Sequence, residues 1–386
     1  MQQQVRVCII GCGFVGEHLL ESFSKHYPIL GVDVSVHRVA MLKGKYHHIN
    51  QRGNRSIKFQ STYTKIEENN VFLVSVPTLV KDGDIDLTCL YEVKKELMNR
   101  VREGSLIVIE SSVYVGATRE IFSEFRARGI FVGFSPERVD PGRKVPTMEE
   151  IPKVISGLDA ESLEVIKRVY TPVFNTVVPV SSCECAEMCK LYENCFRMIN
   201  IAYVNEIADM CENHGINTGE MIKASSTKPF GFMPFYPGLG VGGHCIPVNP
   251  YYLFKNGKLP VLRASVNMME ARPKQKAEEI VQKYPSAENI LICGVGFKRG
   301  ESLTTNSPGY ALYTELINRN KRVLAYDPIV EECYVKGDIE FLGPKDFNVE
   351  SLSQFDLVIV NLQLDSNEQY IIKELQKTKR EVISFN

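Results

Sequence analysis

The stretch Val5-Arg6-Val7-Cys8-Ile9-Ile10-Gly11-Cys12-Gly13-Phe14-Val15-Gly16 decides the fold. An apolar run of strand length breaks into glycines at 11, 13 and 16, and the last of these falls inside a segment, residues 14–25, that reads as a helix. In a strand–turn–helix unit each glycine has its own task. Gly11 permits the tight turn, Gly13 lets a pyrophosphate approach backbone N–H groups at the positive helix end, and Gly16 lets helix and strand pack closely. The next apolar run, 29–32, ends in Asp33, 22 positions beyond Gly11. A carboxylate there accepts from a ribose hydroxyl and repels a 2′-phosphate, which favours NAD over NADP. Arg38, shortly after it, is the residue that would tolerate a phosphate. A purely structural glycine turn is the competing reading.

Outward from this unit, apolar runs at 5–10, 29–32, 71–76, 106–109 and 130–134 read as buried strands of a parallel sheet. Helices are expected at 14–25, 87–102 and 118–128, and a weaker strand at 177–180. From 181 to about 213 neither Gly nor Pro interrupts the chain, and Met188, Leu191, Tyr192, Cys195, Met198, Ile199, Ala202, Ile207 and Met210 recur at helical spacing. That predicts one connecting helix of ~8–9 turns. It is apolar on more than one face, so it can pack against both flanking domains and a second copy of the chain. A Pro- and Gly-rich loop at 229–250 and a helical segment at 262–283 follow. Alternation then restarts, with strands at 289–293, 322–326 and 356–362 and a helix at 308–318. The expected fold class is α/β: two Rossmann-like doubly wound domains joined by a long central helix. Residues 1–180 would form an NAD-binding domain, 181–284 a central helical domain and 285–386 a second Rossmann-like domain. The Gly294-Val295-Gly296 turn, with Asp327, lacks a third glycine in register and is expected to support packing rather than bind a second dinucleotide.

Composition narrows the function. The 386 residues suffice for two or three domains. Lys plus Arg is 45 and Asp plus Glu is 46, a formal charge of −1, which gives no chain-wide electrostatic case for nucleic acid. No apolar run approaches the ~20 residues that cross a bilayer. The N-terminal residues lack the basic region, apolar stretch and cleavage site of a secretory signal. A cytoplasmic protein without a membrane partner is expected, and its eleven cysteines read as reduced thiols.

One thiol stands apart. Gly240-Val241-Gly242-Gly243-His244-Cys245-Ile246-Pro247-Val248-Asn249-Pro250 sets Cys245 in a run of glycines and prolines, where backbone N–H groups can face an anion or a sugar. A small buried hydrophobe is the alternative for any cysteine. His244 reads as a structural or substrate-contacting residue, because sequence neighbours seldom point at each other. Cys183, Cys185, Cys189 and Cys195 lack the paired spacing of a zinc site and fall mostly on one helix, so no metal is expected. On that helix Lys190 and Asn194, four apart, share a face and could stabilise an oxyanion; a solvated face is the alternative. Glu137 follows the apolar run 130–134, and Ser111-Ser112 follows 106–109, so both belong at the carboxyl edge of the sheet, where open α/β sheets bind ligands.

Taken together, GCGFVG, SVPT at 75–78, ESSVYVGAT at 110–118, SPERVDPG at 135–142, AEMCKLYEN at 186–194, GVGGHCIPVNP at 240–250 and GVGFK through NSP at 294–308 resemble the UDP-glucose/GDP-mannose dehydrogenase family. The resemblance covers nearly the whole chain and includes the order of the motifs. It implies an N-terminal NAD domain, a central helix that forms a homodimer, and a C-terminal domain holding the nucleotide of a UDP-sugar substrate. It also implies oxidation of the sugar C6 alcohol to a carboxylate with two NAD per turnover. By position, Cys245 would add to the aldehyde to give a thiohemiacetal and then a thioester. Lys190 and Asn194 would stabilise oxyanions, Glu137 would be the acid/base group, and Ser112 stands where Thr is usual, near the nicotinamide. The cofactor set implied is Gly11, Gly13, Phe14, Val15, Gly16, Asp33, Arg38, Val76, Pro77, Thr78 and Ser112. The substrate set is Glu137, Arg138, Val139, Lys190, Asn194, Phe235, Gly238, Gly242, Arg263 and Lys298, with Arg263 reaching across a dimer.

The nucleophile loop is most similar to the branch that acts on UDP-N-acetylhexosamines, with UDP-glucose the alternative substrate. Two departures bear on rate and substrate choice. Asn249 stands where Asp is usual, and Thr305 where an Arg is common. A two-electron hydroxyacid dehydrogenase, which needs no thiol, and a nucleotide-sugar-binding homologue weakened in turnover are the rival readings.

Overall fold

The computed structural model describes residues 4–47, 57–81, 83–139, 145–300, 302–330, 339–378 and 380–385. They divide into two compact units, Met1–Glu193 with Tyr251–Lys258, and Asn194–Pro250 with Leu259–Asn386. In chain order the first unit begins β1 (Val7–Ile10), α1 (Phe14–Phe23), β2 (Ile29–Val32), α2 (Val36–Lys45), β3 (Ile57–Gln60) and β4 (Val71–Val74). A small hairpin, β5 (Leu79–Lys81) and β6 (Asp84–Asp86), precedes α3 (Thr88–Met98), β7 (Leu106–Ile109), α4 (Ala117–Phe122) and β8 (Phe131–Phe134). Then come β9 (Lys153–Gly157), α5 (Ala160–Tyr170), β10 (Val177–Pro179) and the long α6 (Cys183–Asn213).

The sheet of the first unit runs β10-β9-β8-β7-β4-β1-β2-β3, parallel except where β9 meets β8. Every residue of β1, β4 and β7 is buried, as expected of central strands covered by helices on both faces. The strand order reverses between β1 and β4, so the crevice at their carboxyl ends is the place for a ligand. Residues 118–128 do not form one α-helix. The chain turns 3-10 over Ser123–Arg128, which brings Phe122 and Phe125 onto one face, buried and stacked with ring centroids 5.9 Å apart. The strand expected at 71–76 stops at Val74, because the Ser75 hydroxyl turns to donate to the Gly11 carbonyl at 2.7 Å.

The second unit holds α7 (Thr218–Ser225), the first residues of α8 (Asn249–Asn256), α9 (Pro260–Lys283) and β11 (Asn289–Cys293). It continues with α10 (Pro308–Ile317), β12 (Arg322–Tyr326), α11 (Val349–Leu352), β13 (Leu357–Val360), α12 (Ser366–Lys377) and β14 (Glu381–Ser384). Its sheet, β12-β11-β13-β14, is wholly parallel. The third glycine missing from the sequence pattern is present here as Gly309, on α10. A Cβ on Gly309 would stand 2.4 Å from the Gly294 carbonyl oxygen, as a Cβ on Gly16 would stand 1.9 Å from that of Gly11. Packing is thus the role of both glycines, and an intervening loop hid the second one.

Gly16→Ala and Gly309→Ala are each expected to cost about 1–3 kcal/mol from overpacking against backbone. In differential scanning calorimetry each should lower a melting transition by several degrees; an unchanged transition in either would remove the close contact as the reason for the glycine.

Candidate active site

The turn between β1 and α1 is built by backbone. Gly11 takes φ +85° and its amide donates to the Val32 carbonyl at 2.8 Å. Gly13 caps α1, and a Cβ there would meet nothing within 4 Å, so the turn offers open space where the sequence places a pyrophosphate. Asp33 accepts from the Cys12 amide and the Ser35 amide, both at 2.9 Å, which orients its carboxylate beside the turn. Arg38 is turned inward: its Nε donates to the Cys12 carbonyl at 2.7 Å and its guanidinium pairs with Glu17. The residues present therefore fit a dinucleotide without a 2′-phosphate. Cys12 itself is sealed beneath the turn, and burial pushes its thiol up to about 12.

Three hydroxyls stitch neighbouring loops at this edge of the sheet. Besides the Ser75 bond to Gly11, the Ser111 hydroxyl donates to the Val76 carbonyl at 2.7 Å and the Thr78 hydroxyl to the Ser112 carbonyl at 2.8 Å. Val76, Pro77, Thr78 and Ser112 are thus one surface, with Phe14 exposed and Val15 half-buried at the start of α1. The loop carrying Ser112 is pinned from α6. The buried Glu187 carboxylate accepts from the amides of Gly116 at 2.6 Å and Thr118 at 2.9 Å, and burial raises its pKa.

The helical pair is not a solvated face. Lys190 is 6% exposed and Asn194 5%. Lys190 Nζ donates to the Glu137 carbonyl at 2.6 Å and lies 3.3 Å from Glu137 Oε2. Glu137 also accepts from the Val139 amide, and Arg138 bonds Glu193 at 2.6 Å and the Pro152 carbonyl at 2.8 Å. Asp140, Pro141 and Gly142 of the same motif lie outside the described residues.

In the second unit, Asn194 Nδ2 donates to Asn249 Oδ1 at 2.7 Å, and Asn249 is 2% exposed. The thiol loop is held tightly. Gly243 has φ +87°, its amide donates to the Thr305 carbonyl at 3.0 Å, and its carbonyl accepts from Asn306 Nδ2 at 2.9 Å. A Cβ on Gly242 or Gly243 would meet Phe297 at 2.8 Å. The Cys245 carbonyl accepts from the Asn249 amide at 2.9 Å as α8 begins, and Cys245 is half-buried rather than sealed. His244 is exposed. Gly238 donates to Asn205 Oδ1 at 3.0 Å and its carbonyl accepts from Arg272 Nε at 3.0 Å. Phe235 meets Phe196 edge-on, Arg263 is exposed in the first turn of α9, and Lys298 is half-buried after β11.

Sequence reading missed Glu187, Phe297 and Asn306. Asn306 carried a usable signal, since asparagine tolerates the positive φ of +50° it adopts.

The sequence matches the model of the UDP-glucose/GDP-mannose dehydrogenase family, NAD binding domain, over residues 5–174 and that of the family's central domain over 184–271. It is 36% identical to Protein CapL of Staphylococcus aureus over 379 residues, 92% of this chain and 88% of that one. It is 32% identical to UDP-N-acetyl-D-glucosamine 6-dehydrogenase of Salmonella typhi over 384 residues, 92% and 89% of the two chains. In fold it is similar to the UDP-D-ManNAc dehydrogenase structure from Pyrococcus horikoshii, with a TM-score of 0.87 and 23% identity over 99% of this chain and 95% of that one.

Gly13→Ala puts a methyl into open space, so the melting temperature should hold while KM for NAD rises about tenfold or more, because the added carbon stands where the pyrophosphate would meet backbone. Steady-state kinetics with NAD varied would show this, and an unchanged KM would move the cofactor away from the turn.

Proposed function

The chain belongs to the UDP-glucose/GDP-mannose dehydrogenase family and is an NAD-dependent nucleotide-sugar dehydrogenase, and we propose that it oxidises the C6 alcohol of a UDP-N-acetylhexosamine to the uronic acid. The observation that carries this reading is the state of Lys190 and Asn194. One helix buries an ammonium and an amide four residues apart and joins each to another polar side chain, Glu137 and Asn249. Burying such groups costs free energy that pairing only partly offsets, and a cluster of them at the carboxyl edge of a sheet is the usual mark of a functional site. The GVGGHCIPV loop and the names of relatives such as the Salmonella enzyme support UDP-N-acetylglucosamine or UDP-N-acetylmannosamine over UDP-glucose.

In this reading Gly11, Gly13 and Asp33 would hold NAD, which when bound would supply the hydride acceptor for both oxidations at C6, and Glu137 would take the hydroxyl proton of the first. The Cys245 thiolate adds to the aldehyde carbon, forming a C–S bond and an oxyanion that Lys190 and Asn194 stabilise. Loss of the second hydride from that carbon leaves a thioester. Water attacks it with Glu137 taking the proton, the C–S bond breaks, and the carboxylate leaves with the thiolate restored. Ser112 and Asn249 border this chemistry. Phe235, Gly238, Gly242, Arg263 and Lys298 contact the nucleotide-sugar. The half-buried Cys245 fits the role better than Cys183 or Cys195, whose thiols burial pushes up to about 12.

The division into residues 1–180, 181–284 and 285–386 belongs to the same proposal, as does a cytoplasmic location. Among the described residues no helix is long and apolar enough to cross a membrane. Met188, Tyr192, Tyr203 and Met210 are exposed along α6, which supports a homodimer through that helix.

Incubated with UDP-N-acetylglucosamine and NAD, the protein should yield two NADH per sugar and a product with the mass of the acid. Cys245→Ala should abolish acid formation; wild-type NADH production by that variant would reject the thiol's role. In light scattering at micromolar concentration the protein should show the mass of a dimer, and a monomeric mass would count against pairing through α6.

A further inference from the structure

Beneath Glu137 lies a second buried ion pair that the reaction as described does not use. Lys153, the first residue of β9, is 3% exposed, and Glu110, which follows β7, is 1% exposed. Lys153 Nζ donates to Glu110 Oε2 at 2.5 Å, and the fully buried Tyr170 hydroxyl donates to Glu110 Oε1 at 2.6 Å. β7 and β9 are not neighbours in the sheet; β8 runs between them. The pair therefore bridges over β8, at the end from which residues 135–139 leave.

The third bond of Lys153 gives the pair its direction. Lys153 Nζ donates to the Pro136 carbonyl at 3.0 Å, while Lys190 Nζ donates to the next carbonyl, that of Glu137, at 2.6 Å. Two consecutive carbonyls thus each receive a buried ammonium, from β9 and from α6. Fixing both peptide planes fixes the backbone dihedrals of Glu137 and so the direction in which its side chain leaves the chain. A strut between β7 and β9 would need only the bond to Glu110.

We propose that Lys153, anchored by Glu110 and Tyr170, is a positioning residue for Glu137: its ammonium holds the Pro136 carbonyl and thereby aims the Glu137 carboxylate. This rests on the reading of Glu137 as the acid/base group. Burying a lysine and a glutamate is weak as a source of stability, since an apolar replacement of both is often neutral, whereas removing one partner strands the other. The pair is accordingly placed where orientation rather than stability is at stake.

The test uses the full chain with UDP-N-acetylglucosamine and NAD. Lys153→Met alone strands Glu110 and is expected to unfold at a lower temperature. The informative variant is Glu110→Gln with Lys153→Met, which removes both charges together. Its kcat for acid formation should fall about 10- to 100-fold, the scale of a misaimed catalytic group, with the melting transition and KM for NAD little changed. A double variant that folds and turns over at the wild-type rate would reduce Lys153 to a strut. Glu137→Gln, measured in parallel, separates the two ideas. If it is slow while the double variant is wild-type, positioning fails and the acid/base reading stands; if it is itself wild-type, both fall.

Discussion

The fold depends on how closely a helix can lie on the carbonyl oxygen that ends the first strand. Gly16 sits on the Gly11 carbonyl with no room for a side chain, and that contact sets the N-terminus of α1 against the carboxyl edge of the sheet. The second unit solves the same problem with Gly309 and Gly294. The correspondence extends further. Ser75 Oγ donates to the Gly11 carbonyl and Asn361 Nδ2 to that of Gly294, each from the residue that follows a central strand. Asp33 accepts from an amide of the first turn and Asp327 from two amides of the second. That last difference has a chemical consequence. Asp327 takes the adjacent amides of Val295 and Gly296 with its own carboxylate, so the donors a bound pyrophosphate would use are already engaged by a fixed anion, and the second turn is committed to packing.

The central strands and the first turn were legible in the sequence because their constraints are local: apolar runs, and glycines at fixed offsets. Gly309 was not, because Gly16 follows Gly11 by five positions while Gly309 follows Gly294 by fifteen, and only folding brings the distant pair together. Elements with few apolar residues were missed as well. α12 carries Lys, Gln and Glu around most of its surface, α2 buries only Val39 and Leu42, and β3 alternates Ile57, Lys58, Phe59, Gln60. β9 begins with a lysine, which reads as the edge of a loop until its ammonium is seen to be buried.

The candidate site was half legible for a related reason. Residue types and spacing suggested Cys245, Glu137 and the Lys190–Asn194 pair, yet a lysine on a helix is solvated far more often than buried. What excludes the solvated reading is the set of partners, Glu137 for one residue and Asn249 for the other, each from an element far away in sequence. Asn249 also answers one of the two departures. As a neutral acceptor it still receives the Asn194 amide, so the orientation of that amide survives the loss of a carboxylate at this position. Thr305 answers the other only through its backbone, whose carbonyl braces the thiol loop.

Burial sorts the thiols by what they can do. Burial pushes the pKa values of Cys12, Cys183 and Cys195 up to about 12, so at neutral pH they remain thiols and neither attack nor leave. Cys245 differs in being half-buried in a loop whose glycines expose backbone. It shares some accessibility with Cys185, which is exposed near the start of α6. Alkylation of the whole protein therefore does not by itself single out the proposed nucleophile. The distinction lies in what surrounds each sulfur. Cys185 is exposed on the surface of a helix, whereas the loop before Cys245 is fixed by Gly243 bonds to Thr305 and Asn306 and by Phe297, whose Cβ lies against Gly242 and whose ring lies against Gly243. The proposed addition of this sulfur to one carbon in one orientation would draw on that kind of support, since a group held within reach but free to swing gives up most of the advantage of being held at all.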